Sequence, residues 1–146
     1  MSRDDPYRIT QRAVLRWCSI AARRNAPGNV REHHMKKFVA LYTAPVAAMD
    51  EIRRTKSPER MKEFNDSWMK WVKSHEKSFV DVGSPTGKNK RVSKDAIQDV
   101  KNEVLGYSVV QAETHEEAAK IFQDSPNLQI PGAYIEVLEY VEMPER

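Results

Sequence analysis

The sequence predicts an α+β fold built on one antiparallel sheet, and three observations carry that expectation. Alternating apolar runs of strand length recur at "KKFVALYT", "GYSVVQAE" and "GAYIEVLEYVEM". Two stretches between them step at three and four residues, the helical period, each behind a capping signature. A Gly/Pro/Asn turn within "SFVDVGSPTGKNKRVSKD" marks a hairpin, and the element order is that of an antiparallel sheet. A length of 146 residues, 40% hydrophobic and 31% charged, suits one globular core.

The chain starts with an Arg-rich segment, residues 1–34. "YRITQRAVLRWCSIAARR" can be written on a helix with Ile9, Ala13, Trp17 and Ile20 on one face and Arg8, Arg12 and Arg16 beside them, before a break at "NAPGN". Three readings stand for it, namely a targeting segment, a helix docked on the body or on a partner, and an upstream extension ahead of a native start at Met35. Asp4 and Asp5 are untypical of the first. His33 and His34 read as linker, since adjacent histidines on a regular element cannot both face one metal.

From Met35 a single domain, 35–146, is expected. "KKFVALYTAP" is a strand in which Phe38, Ala40 and Tyr42 alternate with Val39, Leu41 and Thr43, closed by Pro45. "APVAAMDEIRRTK" reads as a loop or short helical turn. Ser57 as N-cap and Pro58 at the first helical position open a long helix. Its apolar stripe is Met61, Phe64, Trp68, Trp71, Val72 and His75. "SFVDVGSPTGKNKRVSKD" reads as a hairpin with a basic return strand, and "DAIQDVKNEVLG" has no clear assignment. After the strand "GYSVVQAE", Thr114 and Glu117 form a capping box that opens a short helix through Ala118, Ile121 and Phe122. "QDSPN" ends that helix and the last strand follows. The resulting order is the ferredoxin-like βαββαβ, with an antiparallel sheet and both helices on one face.

Strand parity then divides the sheet. Val39, Leu41, Val110, Ile135, Val137 and Val141 are expected under the helices. Phe38, Ala40, Tyr42, Tyr107, Val109, Tyr134, Glu136, Leu138 and Tyr140 are expected on the opposite face. That face is too apolar and aromatic for water, so a second copy of the chain is expected to cover it in a homodimer.

The segments "MKKFVALYTAP", "WMKWVKS", "VDVGSP", "LGYSVVQAET" and "PNLQIPGAYIEVLEYVEMP" together resemble the YCII-related (DGPF-type) domain family over about residues 35–146. The resemblance implies a ferredoxin-like fold and a dimeric α+β barrel. Most members have no established activity, and some related barrels act as small-molecule lyases, isomerases or monooxygenases. The chain departs from the pattern where many relatives read "HPHL" and it reads "SPNL", with Ser125 and Asn127 in place of the histidines. The His/Asp dyad suggested for some members falls near Ser67 and Ser125, and neither serine takes up a proton near neutral pH. That dyad does not carry over.

The acid–base candidates are Glu136, Asp81 and His75. His75 lies on the apolar stripe near a helix end, where a half-buried structural imidazole is also expected. Asp81 ends a strand beside the expected cleft. Glu136, if buried among tyrosines, would be a candidate base; paired at the rim it would be structural. Ligand-binding candidates are Tyr42, Trp68, Asp81, Ser84, Tyr107, Asn127 and Tyr134, around a pocket between the sheet face and the hairpin. His115 in the capping box is expected to be exposed, and Trp68 and Trp71 to serve the core. Lys88, Lys90, Arg91 and Lys94 read as a solvated hairpin or, alternatively, an anion or acidic-partner site.

Other classes find no support. The net charge of +3 sits in residues 1–34, where seven arginines face three carboxylates, so residues 35–146 hold 17 basic against 18 acidic side chains. No nucleic-acid footprint is expected from such a body. No apolar run approaches the roughly 18 residues of a membrane-spanning helix. Cys18 stands alone, without an internal disulfide or a cysteine-based zinc site, compatible with a reducing, cytoplasmic setting. Gly83 and Gly87 lack Walker spacing, and no metal or cofactor is expected.

The leading expectation is thus a YCII-related homodimeric α+β barrel with room for a small-molecule-binding pocket. A cofactor-free lyase or isomerase using Glu136, Asp81 or His75 is the alternative, and an accessory protein docking through its N-terminal helix a third.

Overall fold

The computed structural model describes residues 35–144. The expectations for residues 1–34 lie outside the described residues. Strand β1 (Lys36–Thr43) leads through Pro45 into helix α1 (Val46–Thr55), and helix α2 (Pro58–Ser74) follows after a two-residue break. Strands β2 (Phe79–Pro85), β3 (Asn89–Val92), β4 (Ile97–Val100) and β5 (Val104–Ala112) come next. Helix α3 (His115–Ile121), a 3-10 turn (Pro126–Gln129) and strand β6 (Tyr134–Glu139) complete the order. The fold is α+β, with a four-stranded sheet in the order β2-β5-β1-β6, antiparallel throughout, and a separate β3-β4 ribbon.

The capping signals act as read. Ser57 accepts a hydrogen bond from the Arg60 backbone N–H at 3.2 Å, and Pro58 occupies the first turn, where its missing N–H costs nothing. Thr114 likewise accepts from the Glu117 N–H at 3.1 Å. Both α2 and α3 lie on one face of the sheet. Trp71 of α2 and Ala118 and Ile121 of α3 share one core with Phe38, Ala40, Tyr42, Phe79 and Val110.

Three expectations are corrected. First, Phe38, Ala40 and Tyr42 are buried under the helices, in register with Val110, Ser108 and Gly106, whereas Val39 and Leu41 turn to the other face with Val109, Tyr107, Leu138 and Glu136. Both parities of β1 are apolar, so alternation could not choose between them. The choice is made by aromatic partners: Tyr42 meets Trp68 edge-on at 5.2 Å and Phe122 at 6.0 Å, and Trp71 meets Phe79 at 5.4 Å. Second, β2 does not return on the basic strand. It pairs with β5, while the basic "NKRV" of β3 pairs with "IQDV" of β4, in a stretch whose sequence carries no clear signal. Lys90 stands opposite Asp99 and binds it at 2.6 Å, an exposed cross-strand ion pair compatible with this register. Third, "VAAMDEIRRT", expected as a loop or short helical turn, is a full ten-residue helix, although it buries no residue fully.

The last strand ends at Glu139, earlier than its apolar pattern, although the Tyr140 N–H still reaches the Lys37 carbonyl at 3.0 Å. Among the described residues no helix is long and apolar enough to cross a membrane.

Candidate functional site

The stripe on α2 is longer than the core it can cover. Its C-terminal half, Trp71 with Val72 behind it, packs on the sheet. Its N-terminal half does not, and Met61 and Phe64 remain 48% and 38% exposed. With Met49 and Ile52 of α1 they wall a cleft of about 560 Å³ over the Tyr42 end of the sheet. Residues Val82 to Pro85 of β2, Leu105 and Gly106 of β5, and Asn127 and Ile130 beyond α3 form the remaining wall.

Two glycines let the backbone close that wall. Gly83 has φ +80, and a Cβ there would overlap the Tyr107 carbonyl oxygen. A Cβ on Gly106 would meet the Ser84 carbonyl oxygen at 2.8 Å. Both serve the irregular stretch where β2 shifts register against β5 between Asp81 and Ser84.

At the base of the cleft the Tyr42 hydroxyl lies 2.8 Å from Ser108 Oγ, and Ser108 Oγ donates to the Val82 carbonyl at 2.6 Å. A serine has one proton to give, so the tyrosine is the donor of the first bond and retains only acceptor capacity toward the cleft. Burial pushes the Tyr42 hydroxyl pKa well up, and the Ser108 hydrogen bond offsets this only in part. The phenol therefore stays neutral at any physiological pH. Asn127, 9% exposed, holds a side-chain amide that makes no hydrogen bond to the described residues. Among the described residues the charged side chains on the lining are Arg53, Lys56 and Arg60, all near the mouth where α1 ends and α2 begins.

Of the ligand-binding residues expected from sequence, the cleft gathers Tyr42, Trp68, Ser84 and Asn127. It does not gather Asp81, Tyr107 or Tyr134, and the expected pocket on the opposite sheet face is replaced by one on the helix side. Asp81 accepts from the Gly83 N–H at 2.8 Å and from the Tyr107 hydroxyl at 3.4 Å, so its carboxylate braces the β2 irregularity. The Tyr134 hydroxyl donates to Glu103 Oε2 at 2.9 Å, and that carboxylate, the largest influence, raises the phenol pKa. Glu136 is exposed on β6 and not buried among tyrosines.

His75 caps the far end of α2, eleven residues beyond Phe64 and so about 16 Å further along the helix axis. Its Nε2 lies 3.3 Å from the Asp124 carboxylate. His115 Nε2 donates to the Val137 carbonyl at 2.7 Å, tying α3 to β6. Ser125 is buried with an unpartnered Oγ, and Ser67 is exposed. Among the described residues no three metal-ligating side chains cluster.

Sequence reasoning missed Met49, Ile52, Met61, Phe64 and Ile130 as cleft residues, together with the three cations. A signal existed for most of them. Val46, Met49 and Ile52 recur at three-residue steps, and the α2 stripe is about five turns long on a sheet of short strands. Comparison with models of known protein families finds none that matches, and no curated protein matches the chain.

Proposed function

We propose that the chain is a small-molecule-binding protein of the YCII-related kind, a homodimeric α+β barrel in which each chain keeps its own ligand cleft. The observation that carries the reading is the cleft: about 560 Å³, lined chiefly by apolar side chains with a few convergent polar groups. Ligand sites of small molecules have that size and composition.

The strand order supports the architecture. Counting only the four strands of the main sheet in chain order gives 2-3-1-4, the pairing of a ferredoxin-like βαββαβ unit, with α2 and α3 on the same face. The "VDVGSP" segment that carries part of the family resemblance supplies Val82 to Pro85 of the cleft wall. On the other sheet face Val39, Leu41 and Val109 stand with Leu138, an apolar surface suited to a second copy. Binding is favoured over proton chemistry because, among the described residues, the lining holds no carboxylate, imidazole or thiol.

A fragment screen followed by amide and indole NMR on the full chain tests the reading. Hits are expected to shift the Trp68 indole and the amides of Met61, Phe64 and Ile130 together. Hits that never perturb this set would sink the cleft as a ligand site.

A further inference from the structure

Resting on that reading, we propose that the cleft selects an organic anion, an aromatic or aliphatic body with a carboxylate, sulfonate or phosphate group held at the mouth. The charge pattern is the first reason. Residues 46–74, spanning α1 and α2, contain five carboxylates, Asp50, Glu51, Glu59, Glu63 and Asp66, and none of them lines the cleft. Three of the seven basic residues in the same span do, namely Arg53, Lys56 and Arg60. The two helices thus turn cations and no carboxylate toward a largely apolar space.

Those cations are incompletely neutralised by the protein. Arg53 holds Asp50 at 3.3 Å, and Arg54, off the lining, takes Glu51. Lys56 and Arg60 have no ion-pair partner among the described residues. The first turn of α2 lies at the same mouth, and the positive end of its dipole adds to theirs, offset in part by Glu59. Deeper in, Tyr42 offers only an acceptor, which suits a neutral body better than an anionic head. Asn127, nine-tenths buried on the opposite wall with no side-chain hydrogen bond to the described residues, is placed to fix the ligand's orientation.

A matched pair of fluorescent probes separates charge from apolar contact: 1-anilinonaphthalene-8-sulfonate, an aromatic anion, and N-phenyl-1-naphthylamine, the same ring system without the sulfonate. Titrated into the full chain, the anion is expected to bind more tightly. The double variant K56Q/R60Q should weaken the anion about fivefold to tenfold and leave the neutral probe unchanged, since each rim charge contributes modestly in water. K88Q/K90Q, the same loss of charge on the β3 side of the molecule, should change neither. Phe64→Gln should weaken both probes.

If Phe64→Gln weakens both probes but K56Q/R60Q leaves the anion untouched, or K88Q/K90Q weakens it equally, selection for an anion is overturned and the cleft remains a ligand site. If neither Phe64→Gln nor K56Q/R60Q alters either probe, both the anion and the cleft are overturned.

Discussion

Tyr42 and Asp124 show how single side chains divide the work between the two ends of the core. The Tyr42 hydroxyl donates into Ser108, which in turn holds the Val82 carbonyl, so one buried chain of hydrogen bonds ties β1 to β5 and β2. Tyr42→Phe removes the first link without opening a cavity and leaves Ser108 still bonded to Val82. The expected loss is about 1 kcal/mol, read as a lower urea midpoint at unchanged slope. At the other end, Asp124 accepts from the Trp71 indole at 3.0 Å and faces His75. Burial is the largest single influence on Asp124 and works to raise its pKa, but the bonds from His75 and Trp71 and the histidine's charge together hold it below the ordinary carboxylate value. A depressed carboxyl contributes stability above its unfolded pKa, about 3.9, and loses it as the pH falls through the folded value. Asp124→Asn is therefore expected to lose less stability than the native chain between neutral pH and about pH 3, measured by urea denaturation at each pH.

Among the elements, the two capped helices and the β1, β5 and β6 strands were legible because their signals are local: Ser57-Pro58, Thr114 with Glu117, and period-2 runs. What was not legible depended on contacts distant in sequence. No rule of alternation says which parity of "KKFVALYT" faces Trp71, and no turn signal says that β2 pairs across to β5, not with the next strand. The same limit hid the cleft. Tyr42, Trp68, Ser84 and Asn127 could be guessed as polar or aromatic candidates, but Met61 and Phe64 look like core until the short sheet leaves them uncovered. The β2 irregularity is the element most sensitive to a small change. Gly83→Ala adds a Cβ against the Tyr107 carbonyl at positive φ, and is expected to cost about 2 kcal/mol or more in thermal or urea unfolding.

At the scale of the whole molecule, the helix side carries the cleft and the opposite sheet face carries Val39, Leu41, Val109 and Leu138. Sedimentation equilibrium is expected to give twice the chain mass, and the paired change Leu41→Glu with Val109→Glu to return it to one, with far-ultraviolet circular dichroism unchanged. A mass of one for the native chain would remove the dimer. The β3-β4 ribbon stands apart from all of this. Val92 and Ile97 face each other across it while 74% and 69% exposed, and a two-stranded ribbon alone is marginally stable in water. The protein should accordingly open in two stages. Backbone amides of residues 89–100 are expected to exchange with deuterium while those of β1 and β5 are still protected, and among the described residues trypsin should cut first at Lys88, Lys90, Arg91 or Lys94, leaving the four-stranded core as two fragments that stay together.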